Sequence, residues 1–90
     1  MDRTADLVSS LHDHLEATEQ HPLETEPNRI LGEAQAIAED LTEADLDTER
    51  IEERVEQILD LLDELDGTGD ETADEHVAAA RRAAQRIVER

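Results

Sequence analysis

Along this 90-residue chain the apolar positions recur at helical spacing, and four separate stripes can be traced. The first sets Val8, Leu11 and Leu15 at i, i+3 and i+7, with Leu7 beside them, and predicts a helix over about residues 4–20. The second holds Ile30, Ala34, Ile37 and Leu41, flanked by Leu31 and Ala38, and predicts a helix over 27–41. In the third, Ile51, Val55, Ile58, Leu62 and Leu65 alternate steps of four and three, broadened by Leu59 and Leu61, over 47–66. The fourth repeats that spacing with Ala73, Val77, Ala80, Ala84 and Ile87, over 70–89. Nowhere do apolar and polar residues alternate as they would in a half-buried strand.

The residues between the stripes explain where each helix stops. Pro22 and Pro27 bracket the first connection, because each disfavours helix at the residue before it, and Pro27 itself suits a first helical turn. Asp47 reads as the N-cap of the third helix, with Leu46 placed to pack on Ile51 as a hydrophobic staple. Gly67-Thr68-Gly69 ends that helix, and Thr72-Ala73-Asp74-Glu75 reads as a capping box near the start of the fourth, about Asp70. Short connections between amphipathic helices place consecutive helices antiparallel. The expected fold is therefore all-α, an up-down antiparallel four-helix bundle forming a single domain over 1–90.

Composition sharpens this picture. The core must be made from 11 Leu, 5 Ile, 4 Val, 1 Met and 12 Ala, with no Phe, Tyr or Trp. Aromatic rings supply the largest burial per residue, so such a core is thin unless a second chain completes it. Ala78, Ala79 and Ala83 make most of the fourth helix small. Ala79 and Ala83 are expected on the side away from its core stripe, where a second copy could approach closely as a homodimer.

Charge adds a second constraint. There are 26 Asp and Glu against 8 basic residues, all Arg, for a net charge of −18. On a sphere of radius about 15 Å in water that charge carries a self-energy on the order of 45 kcal/mol. An expanded chain carries roughly half, so repulsion opposes folding by about 20 kcal/mol, more than the ~5–15 kcal/mol stability of an ordinary domain. At molar salt the screening length falls to about 3 Å and the repulsion drops to roughly a few kcal/mol. The absence of Lys removes long, strongly hydrated side chains, and the whole balance suits a halophilic cytoplasm. The acidic surface is unsuited to nucleic acid or anionic membrane, no apolar run is long enough to span a bilayer, and Met1–Asp6 lacks a signal-peptide pattern. Cytoplasmic residence is the expectation. With no Cys, there is neither a disulfide framework nor a thiolate site.

The stretch Gly67-Thr68-Gly69-Asp70-Glu71-Thr72-Ala73-Asp74-Glu75-His76-Val77-Ala78-Ala79-Ala80-Arg81, with Leu31-Gly32-Glu33-Ala34 upstream, resembles small acidic haloarchaeal proteins of unknown function. That resemblance implies no activity and no site residues.

Among residues that could carry chemistry, Glu53-x-x-Glu56 and Glu71-x-x-Asp74 resemble the paired acidic motifs of all-α nucleoside-triphosphate pyrophosphohydrolases, where two helices aim four carboxylates at Mg²⁺. With 26 acids in 90 positions, however, chance alone yields about seven i, i+3 acidic pairs. His12, Glu16 and Glu19 share a helix face at metal-ligand spacing, whereas His12 and His14 point some 200° apart. His76 is expected as a partly buried imidazole hydrogen-bonded to a neighbouring loop. Arg82, Arg86 and Arg90, with Arg81 alongside, suit a helix C-terminus and partners on neighbouring helices. Ser9 and Ser10 have no acid–base partners for a nucleophile, and no phosphate-binding loop is present.

These residues point to a non-catalytic helical protein-interaction module without a cofactor, acting on a protein partner or on itself. The alternative is the metal-dependent pyrophosphohydrolase-like enzyme using Glu53, Glu56, Glu71 and Asp74. The charge gives a first test. Helical circular dichroism should be lost as KCl falls from about 2 M to about 0.05 M. Full helicity and a cooperative melt at the lower salt would refute the repulsion estimate.

Overall fold

Four helices form where the four stripes lie: α1 (Thr4–Thr18), α2 (Thr25–Glu43), α3 (Thr48–Asp63) and α4 (Glu71–Val88). The computed structural model describes residues 4–20, 23–43 and 47–89, and they contain no strand. His21, Pro22, Leu46 and Arg90 lie outside the described residues, and with them the staple from Leu46 to Ile51.

Helix ends differ from expectation in ways their chemistry explains. α2 begins two residues before Pro27, which sits in the first turn, where a missing N–H breaks no helical bond. Asp47 caps α3 as expected, its carboxylate accepting the Arg50 N–H at 2.9 Å. α3 stops at Asp63 rather than 66, its last turn tightened by Glu64 N–H to Leu61 O and Leu65 N–H to Leu62 O, both 3.1 Å. The cap of α4 is Asp70, which accepts the Ala73 N–H at 2.9 Å, so Thr72 is not the capping residue. α1 ends with the buried Thr18 hydroxyl donating to Leu15 O at 2.6 Å.

The helices pack as a ring in sequence order: α1 meets α2 and α4, and α3 meets α2 and α4. The diagonal partners α1 and α3, or α2 and α4, do not meet through their backbones. The result is the up-down antiparallel four-helix bundle, 37 × 20 × 18 Å. Large aliphatic side chains enter the core from all four helices, Val8, Leu11, Leu15, Val55, Ile58 and Leu62 from α1 and α3, and Leu31, Leu41, Val77 and Ile87 from α2 and α4. Between these, the middle of α2 and α4 contributes Ala34, Ala38, Ala80, Ala83 and Ala84. At mid-height the alanines of α2 and α4 leave the centre to the larger side chains of α1 and α3, so an interior without aromatic rings closes. Leu23, Ile37, Ile51, Leu61 and Leu65 pack half-buried around it.

One expectation is overturned here. Ala83 does not face away from the core; it is 6% exposed and belongs to the interior cluster, while Ala79 is half-buried. α4 is gripped by α1 on one side and α3 on the other, so its buried arc is wider than one four-three stripe. The close-approach surface anticipated for a second copy is thus largely used within the chain. No helix among the described residues is long and apolar enough to cross a membrane.

The core reading can be checked by a pair of substitutions. Ile58 is fully buried, so Ile58→Ala should cost about 2–5 kcal/mol in melting experiments at high salt. Glu56, exposed on the flank, should cost under ~0.5 kcal/mol as Glu56→Ala. The reverse order would place the wrong face of α3 inward.

Candidate functional site

Because residues two apart on a helix diverge, α1 sends its two histidines to different neighbours. His12 turns toward α2, where Gln35 Nε2 lies 3.4 Å from His12 Nε2. Amide donation to that nitrogen leaves the ring proton on Nδ1, which faces Asp13 Oδ1 and Glu16 Oε2, each at 3.6 Å. Among the described residues, His12, Asp13 and Glu16 are the one group of three or more His, Asp or Glu donors gathered within 4.8 Å. Glu19, expected in that set, is exposed and not part of it.

His14 turns toward α4 and meets His76, with the two Nδ1 atoms 3.1 Å apart. The ring centroids are 5.4 Å apart and the planes tilted by 39°. Both rings are half-buried. His76 therefore contacts an imidazole from another helix. Sequence reasoning missed this pair because it depends on the register of α1 against α4.

The four carboxylates of the pyrophosphohydrolase-like pattern have separate surroundings. Glu53, Glu56 and Glu71 are exposed, and none belongs to the gathered donor group. Asp74 instead holds the loop before α4. Its Oδ1 accepts the Thr68 N–H at 2.9 Å and lies 2.8 Å from the Thr68 hydroxyl. That hydroxyl accepts the Asp70 N–H at 3.1 Å and shares its single proton between Asp74 and Asp70 O, 2.9 Å away. Thr68 is buried, flanked by Gly67 and Gly69, both at φ +85°, a backbone region that favours glycine.

Arg81 ties two helices together, and Arg29 pairs on the surface of one. Arg81 of α4 forms an ion pair with Asp63 and donates from Nη2 to Leu62 O at 2.9 Å, satisfying a carbonyl at the end of α3. Arg29 bridges Glu26 and Glu33 on α2. Its guanidinium is held above its ordinary value by the Glu26 hydrogen bond first, and then by the charges of Glu26 and Glu33. Arg82 and Arg86 are exposed.

On the opposite side from the α1–α4 interface, α2 and α3 leave an open groove of about 510 Å³. Ala36, Ile37 and Leu61 form its apolar floor, and Glu33, Gln57, Asp60 and Glu64 its rim. A second hollow of about 340 Å³ lies near the Gly67–Gly69 loop, beside Glu24, Glu26, Glu64 and Asp66.

A family model described as "Domain of unknown function (DUF8152)" matches residues 7–90, which takes in α2, α3 and α4 and all but the first turn of α1. No curated protein matches the chain, and no solved structure does.

The two acids paired in the enzyme-like pattern should separate on mutation. Asp74→Ala removes the acceptor of the Thr68 N–H at a buried residue and should cost about 1–3 kcal/mol. Glu71→Ala, at an exposed position, should cost under ~0.5 kcal/mol. Equal melting shifts would contradict the structural role given to Asp74.

Proposed function

The chain belongs to this family of unknown function, and we propose that it acts as a non-catalytic helical interaction module of a halophilic cytoplasm. Its partner would be a protein presenting an amphipathic helix with basic flanks. The groove between α2 and α3 carries this reading. Its floor of Ala36, Ile37 and Leu61 offers apolar surface of the kind that accepts one stripe of a helix, while Glu33, Asp60 and Glu64 stand where Lys or Arg beside that stripe would reach. A net charge of −18 favours a basic partner over a second acidic copy. Even in molar salt, direct contacts at the rim persist while long-range repulsion is screened, and apolar association strengthens.

A selection of helical peptides against the chain at about 2 M KCl tests this. Enriched peptides should carry aliphatic residues at i, i+3 or i+4 and i+7, flanked by Arg or Lys, and should bind Leu61→Glu at least tenfold more weakly. Leu61 is half-buried, so the circular dichroism of the variant establishes that the fold persists. Peptides without the basic flanks, or peptides indifferent to Leu61→Glu, would defeat the reading. A dimer dissociated by Leu61→Glu would replace the basic partner with a second copy.

A further inference from the structure

We propose that His14 and His76 form a binding site for a borderline transition-metal cation, Zn²⁺ or Cu²⁺, that clamps α1 to α4. The pair joins residues 62 apart in sequence across the most extensive helix–helix interface of the bundle. With Nδ1 atoms 3.1 Å apart, one ring donates its Nδ1–H and the other accepts, so a single proton lies between the two nitrogens. A metal takes the place of that proton, which moves to the outer Nε2 of the same ring. Metal–nitrogen bonds of about 2.0–2.1 Å, spanning nitrogens 3.1 Å apart, give an N–metal–N angle of about 98°, between square-planar and tetrahedral values.

The rings must adjust to reach it. Nitrogens 3.1 Å apart between centroids 5.4 Å apart lie near the line joining the rings. Each lone pair therefore has to swing by about 40°, a turn for which the broad terminal torsion of histidine gives room. Both side chains reach solvent, so water completes the coordination shell.

Ligand chemistry supplies selectivity. A surface of 26 carboxylates attracts every cation, hard ones included, without distinguishing among them. Paired imidazole nitrogens prefer Zn²⁺ and Cu²⁺ to Mg²⁺ or Ca²⁺. At His12, Gln35 engages one ring nitrogen and a single imidazole nitrogen is left beside two exposed carboxylates, a mixed donor set that distinguishes less between transition-metal and hard cations. An ion held between α1 and α4 binds only the folded chain, so it stabilises the fold by linkage.

The test is a Zn²⁺ titration of the full chain at about 2 M KCl, a salt level that suppresses diffuse binding, followed by imidazole NMR and by thermal melting. His14 and His76 should shift together with one-to-one stoichiometry, and the melting temperature should rise. His14→Ala or His76→Gln should weaken binding at least tenfold and abolish the rise, whereas His12→Ala should leave both unchanged. Circular dichroism tells loss of the site from loss of the fold. If neither variant folds, the imidazole shifts of the unsubstituted chain decide alone. The proposal is overturned if Zn²⁺ moves His12 instead, if no ring moves, or if a folded His14→Ala chain binds as tightly as the original.

Discussion

The bundle depends on the meshing of large aliphatic side chains, drawn from all four helices, with the alanines at the middle of α2 and α4. Leu11, Leu15, Ile58 and Leu62 are fully buried, as are Ala34, Ala38, Ala80 and Ala84. Without rings, no single side chain fills the space between four helices, and the backbones must come close instead. Alanine allows that approach while favouring helix, so one residue type serves both local and global structure. The cost is a small margin. Each methyl group in such an interior represents a larger share of its stability than in a core anchored by aromatics.

Around this interior the charge is arranged where it disturbs packing least. Most acids stand on exposed helix surfaces, and the few with structural duties are near helix ends. Asp47 and Asp70 accept backbone N–H groups at N-termini, and Asp74 ties Thr68 to α4. Arg81 covers the opposite kind of terminus, the carbonyl end of α3. A chain with 26 acids and 8 arginines thus uses a small part of its charge for specific geometry and leaves the rest to solvent and salt.

Much of the architecture was legible in the sequence because apolar periodicity and capping chemistry are local. The stripes on α1 and α3 predicted buried residues down to Val8, Leu15, Val55 and Leu62, and Asp47 caps as read. Features requiring knowledge of a neighbour were not legible. Ala83 is inside because α4 is held on two sides, which no single-helix pattern reveals. Asp74 resembled half of a metal motif, but its partner Thr68 lies in the preceding loop. The α2–α3 groove and the His14–His76 contact both depend on register between helices, which amphipathic spacing leaves free.

The closed ring of helices has a kinetic consequence. α1–α2 and α3–α4 are hairpins whose contacts can form early, since only short connections need to close. The most extensive interface, however, joins α1 to α4, the two helices furthest apart along the chain. Joining them closes the longest loop between any two helices, so the interface with the largest closure entropy is also the most extensive one. Neither terminal helix can fray away independently without exposing that seam. Such a chain gains its stability as a unit or not at all.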